Sequence, residues 1–97
     1  MKTIYKYELD TIPEQTLSIP EYNEPLFVKM QRGVPCIWFL VNPDTNSKNV
    51  KIKIYGTGHN IPDTAFKSDS CNIQEQYVGS FMELSENLVW HVFVCKD

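Results

Sequence analysis

Tyr55-Gly56-Thr57-Gly58-His59-Asn60-Ile61-Pro62 gathers two of the chain's four glycines and one of its two histidines into a turn after an alternating apolar–polar run. Two glycines one residue apart permit positive φ and close approach of backbone to a ligand. Successive N–H groups in such a turn can form an anion-binding nest. Thr57 adds a hydroxyl, and His59 a donor whose charge changes near neutral pH. The chemistry this predicts is capture of a phosphate or carboxylate. The competing reading is a strand exit whose glycines only satisfy backbone geometry. The turn is neither a P-loop nor a dinucleotide fingerprint, which both need a following helix.

The second histidine, His91, lies between Trp90 and Val92. It reads as a histidine satisfied by its neighbours, or as the partner of His59 in a shared site. Paired histidines can perform acid–base chemistry on phosphodiesters. Neither one stands in a His-x-Thr or His-x-Ser pattern, and no residue is assigned a catalytic role. Trp38 and Trp90 are predicted to anchor the core. A ring that reaches the surface near the turn would instead stack on a base. The candidate ligand-binding set is therefore Gly56, Thr57, Gly58, His59, Trp38, Trp90 and His91. No metal site and no cofactor are expected: there is no Cys-x-x-Cys or His-x-x-x-His spacing. No nucleophile elbow is present either. Asp63, Asp69 and Glu75 are predicted to be solvated loop carboxylates. Lys51 and Lys53 read as charges that keep an outer sheet face wet, or as contacts to a ligand phosphate.

The elements that must position these residues are strands. Lys2 to Leu9 alternates, with Tyr5, Tyr7 and Leu9 on one face. Pro13 and Pro20 bracket a segment whose Leu17 and Ile19 suggest a short edge strand. Leu26, Val28 and Met30 share one side of the next strand, and Arg32-Gly33-Val34 signals a turn. Cys36 to Val41 is apolar on both faces, as in a central strand or a strand at a subunit contact. Asn42 to Asn49 reads as the tip of a hairpin. Val50, Ile52 and Ile54 face the core. Gly56 to about Gln74 is long and poorly periodic, a pattern often tied to function. Gln76 to Met82 forms a strand, Leu84 to Asn87 a turn, and Leu88 to Cys95 a last strand. The prediction is a single all-β domain over residues 1–97, a small antiparallel sandwich or barrel of six or seven strands with little or no helix.

Ninety-seven residues suit one domain. A chain of this size buries only about 60–65% of its unfolded surface, so a second subunit would add stability. A net charge of −3 argues against a nucleic-acid partner. No stretch has signal-peptide or membrane-spanning character, which predicts a cytoplasmic protein without a membrane partner. Cys36, Cys71 and Cys95 are odd in number and widely spaced, and are expected to be reduced.

Several blocks, in order, are Gly33-Val34-Pro35-Cys36-Ile37-Trp38, Tyr55-Gly56-Thr57-Gly58-His59-Asn60-Ile61-Pro62, Tyr77-Val78-Gly79-Ser80-Phe81 and Leu88-Val89-Trp90-His91-Val92-Phe93. With the opening Met1 to Leu9 they resemble a family of small tailed-bacteriophage proteins of unknown function. The resemblance implies a non-enzymatic binding protein in the cytoplasm of an infected bacterium. Its expected role is counter-defence, sequestering a phosphate-bearing nucleotide signal, as a homo-oligomer. The alternatives are an inhibitor or adaptor acting on a host protein, or a virion or assembly accessory protein.

Overall fold

A computed structural model describes residues 1–61, 74–83 and 88–96, so Cys71, Asp63, Asp69 and the predicted turn at 84–87 lie outside the described residues. The alternating runs become seven strands: β1 (Thr3–Glu8), β2 (Glu14–Ile19), β3 (Tyr22–Gln31), β4 (Val34–Val41), β5 (Lys48–Gly56), β6 (Gln74–Glu83) and β7 (Leu88–Lys96). All pairings are antiparallel, in a three-stranded sheet ordered β1-β4-β3 and a four-stranded sheet ordered β2-β5-β7-β6. The fold is the expected all-β sandwich. Among the described residues no helix is long and apolar enough to cross a membrane.

Period-2 alternation decides which residues fill the space between the sheets. Ile37, Phe39 and Val41 of β4 face Ile52 and Ile54 of β5 and Val92 and Val94 of β7, all essentially inaccessible to solvent. Leu9, Ile19 and Val28 extend this core, and Tyr7 and Tyr22 pack edge-on against Phe39 at 5.9 and 5.0 Å. β2 is an edge strand, as its flanking prolines predict. Arg32 and Gly33 both have positive φ, 53° and 81°, which gives the tight β3–β4 hairpin the handedness that matches strand twist.

Three expectations are corrected. Asn42 to Ser47 is not a hairpin tip: β4 and β5 belong to different sheets, and the segment crosses between them. The segment is held by Asn42 N–H to Glu21 O and by Thr45 Oγ1, which accepts from Glu21 N–H, both at 2.8 Å. Leu26 leaves the inward row because the β3–β4 register shifts between Pro25 and Phe27. Trp38 does not anchor the core. It stands on the outer face of the three-stranded sheet, stacked on Phe27 with ring centroids 4.6 Å apart. On that same face Lys6 Nζ reaches across β4 to Gln31 Oε1 at 2.7 Å, and Cys36, in the register row crossed by this link, is only 1% exposed.

Replacing Ile52 by alanine removes a fully buried side chain from the middle of β5. The expected cost is about 2–5 kcal/mol, read as a lowered midpoint of chemical unfolding with unchanged slope.

Candidate functional site

Gly56 ends β5 opposite Trp90, and the turn that follows folds back on the sheet end. Its glycines answer steric demands. A Cβ at Gly56 would lie 2.8 Å from the His59 ring, and Gly58 holds φ at +89°. The turn's amides are largely engaged. Gly56 N–H donates to His59 Nδ1 (3.2 Å), Thr57 N–H to Val89 O (3.0 Å) and His59 N–H to Gly56 O (2.9 Å). An anion nest needs several amides converging on open space. Here three of them point at protein acceptors, which favours the geometric reading of these glycines.

The turn straddles the sheet end. On the inner side the His59 ring meets the Trp90 indole edge-on, centroids 5.4 Å apart, and Trp90 packs against the core. On the outer side Thr57 reaches His91. The structure thus brings Gly56, Thr57, His59, Trp90 and His91 to one place, but on two faces of β7. Trp38 lies on the other sheet and does not join them.

His91 is locked into a chain of hydroxyls. Thr57 Oγ1 donates to Val89 O at 3.2 Å, so it accepts from His91 Nε2–H at 2.9 Å. Nδ1 is then the acceptor for the Ser80 hydroxyl at 2.8 Å, and Ser80 accepts from the Tyr77 phenol at 2.7 Å. The network assigns the Nε2–H tautomer. Each ring nitrogen already has a partner, so the imidazole ties the turn, β7 and β6 together instead of facing a free substrate. Among the described residues no group of three or more His, Cys, Asp or Glu is placed to hold a metal ion.

Farther along the same outer face is a second cluster that sequence reasoning missed. Glu75 belongs to β6, not to a solvated loop, and is 8% exposed. Both its carboxylate oxygens accept from the Tyr55 hydroxyl, at 3.0 and 3.2 Å, and Lys53 lies 3.7 Å away. Lys51 and Lys53 also pair with Glu14, at 3.6 and 3.9 Å. Burial, and next the bond to Glu75, push the Tyr55 phenol well above its ordinary value of 10.0. The alternation of β5 placed Lys51 and Lys53 on this face; Glu75 joins them only through the β6–β7 pairing.

A concave feature lies at the opposite end of β5. β2 pairs with Lys48 to Lys53, whereas β7 pairs only from Ile52 onward. The Lys48–Lys51 edge is therefore free of the β7 ladder, and a cleft of about 430 Å³ opens there. Ile19, Pro20 and Val50 give it buried apolar surface, Tyr22 and Cys95 flank it, and its polar groups are two bases, Lys48 and Lys51, one acid, Glu21, and the neutral Thr16 and Asn49. This volume falls in the range of small-molecule pockets. No motif marks it, because its residues come from four strands and the β2–β3 connection.

The model of a domain of unknown function, DUF7352, matches residues 1–97. The chain belongs to the DUF7352 family. No curated protein and no solved structure matches it.

The Tyr55–Glu75 bond carries a pH signature. The raised phenol pKa means the folded state holds this proton more tightly than the unfolded chain. The resulting stability is full below pH about 10, the unfolded phenol's value, and is lost as pH rises beyond it. Tyr55→Phe is expected to cost about 1–3 kcal/mol at neutral pH by leaving Glu75 short of a donor. It should also flatten the alkaline fall in stability, measured by urea unfolding across that range.

Proposed function

We propose that this DUF7352 protein binds a small anionic ligand in the cleft beside the start of β5. The observation that carries the reading is the 430 Å³ cleft with Lys48 and Lys51 on its lining. Apolar surface from Ile19, Pro20 and Val50, with Tyr22 alongside, suits a flat ring. The Lys48 ammonium suits a phosphate, and Lys51, 3.6 Å from Glu14, would exchange that exposed pair for one. A nucleotide combines both parts, so the ligand class remains the phosphate-bearing nucleotide expected from the sequence. The site proposed here is the far end of β5 and not the Gly-Thr-Gly-His turn, because three of the turn's amides are occupied. With the resemblance to phage proteins, such capture would withdraw a host nucleotide signal.

Calorimetric titration with cyclic di-AMP, cyclic di-GMP and ADP-ribose tests this. Binding of at least one probe is expected. The Lys48→Glu/Lys51→Glu double variant should weaken it by ~10-fold or more, while His59→Ala should leave it unchanged. Loss on His59→Ala with retention in the lysine variant would return the site to the turn. A wild-type protein that takes up none of the three probes would refute the nucleotide reading.

A further inference from the structure

The outer face of the three-stranded sheet differs from that of the four-stranded sheet. The latter pairs Glu14, Lys51, Lys53 and Glu75 among themselves. The former leaves Ile4 56% and Phe27 47% exposed, around the half-buried Trp38 and Leu40. Exposed Glu8, Glu24 and Lys29 border this apolar strip, and among the described residues none of the three has an ion-pair partner.

Strand register orders this face into rows. One row runs Ile4–Leu40–Glu24, the next Lys6–Trp38–Phe27, and the third Glu8–Cys36–Lys29. The third row has an acid on one edge strand, a neutral centre and a base on the other edge strand. A two-fold axis parallel to β4, lying in the plane of contact, sets β1 of one copy over β3 of another and keeps every row in place. Glu8 then faces Lys29 of the second copy, and Lys29 faces its Glu8. Trp38 meets its own copy at the centre. A two-fold axis across the strands would instead set Lys6 over Lys6. The face is thus self-complementary in one orientation, which is the requirement for an isologous contact.

We infer that this face is a homodimer interface, with a second copy of the chain stacked sheet to sheet. Its two reciprocal Glu8–Lys29 pairs set the orientation, and the Trp38–Phe27 stack forms its apolar centre. The inference is independent of the cleft, which opens beside β2 and β5 and takes from the three-stranded sheet only Tyr22, a side chain packed against the core. Three strands about 4.8 Å apart and eight residues of about 3.3 Å rise give a patch of about 14 by 26 Å. That is small for an interface, so a dissociation constant in the micromolar range is expected.

Sedimentation equilibrium of the full chain between about 5 and 500 µM tests the inference. The wild type should pass from monomer to dimer over this range. Glu8→Lys and Lys29→Glu, each alone, set like charges against each other across the axis and should weaken association ~10-fold or more. Mixing the two single variants restores both pairs in a heterodimer and should recover association, as should the double variant with itself. Both substitutions sit on exposed side chains, and circular dichroism checks that each variant remains folded. A wild type monomeric at the top concentration, singles that dimerise unchanged, or a mixture that fails to recover would each overturn the inference.

Discussion

The position of β5 is the constraint on which the rest depends. Its ladder with β2 covers Lys48 to Lys53 and its ladder with β7 covers Ile52 to Gly56, so the two overlap only at Ile52 and Lys53. At that overlap the inner face carries the fully buried Ile52 and the outer face carries Lys53, bridging Glu14 and Glu75. The stagger has two results. At one end β5 outruns its neighbour β7 and a cleft opens. At the other end β5 outruns β2, and the glycine turn folds over Trp90 and His91. A slip of one residue would turn Val50, Ile52 and Ile54 outward and dismantle both ends together.

The two outer faces solve different problems. The face over β5 and β7 is polar and internally satisfied. Tyr55, Glu75, Lys53 and Glu14 form one group, and Tyr77, Ser80, His91 and Thr57 another. Aromatic packing of Phe93 against Tyr55 and Tyr77, both at 5.5 Å, links the two groups. Buried polar groups on a sheet face are costly unless partnered, and this network supplies the partners on its own face. The face over β4 has few internal polar contacts and keeps large apolar side chains at its surface.

What was legible in the sequence was local. Alternation of Val50, Ile52 and Ile54 with Lys51 and Lys53 predicted both the strand and its faces, and β2's bracketing prolines predicted an edge. The unreadable parts depended on which strand lies beside which. Nothing near Asn42 to Ser47 distinguishes a hairpin tip from a crossover, since both need polar turn residues. Trp38 looked like core because its strand is apolar on both faces; only the sheet order shows that one face has no second sheet over it. Glu75 looked solvated until pairing with β7 placed it within reach of Tyr55, twenty positions earlier. The glycine turn drew attention by composition, and its residues do converge, but on one another more than on open space.

The link from Lys6 to Gln31 across β4 has a chemical consequence of its own. The thiol of Cys36 lies in the row that link crosses, is 1% exposed, and burial raises its pKa. Reactivity belongs to the accessible thiolate, so an electrophile must wait for the Lys6–Gln31 link to swing aside. Cys95, at the cleft wall and 8% exposed, faces a different barrier, the local opening of the last stretch of β7. The two sulfurs are therefore clocks set to different events: one times the swing of a side-chain link across a sheet face, the other the fraying of a single strand end.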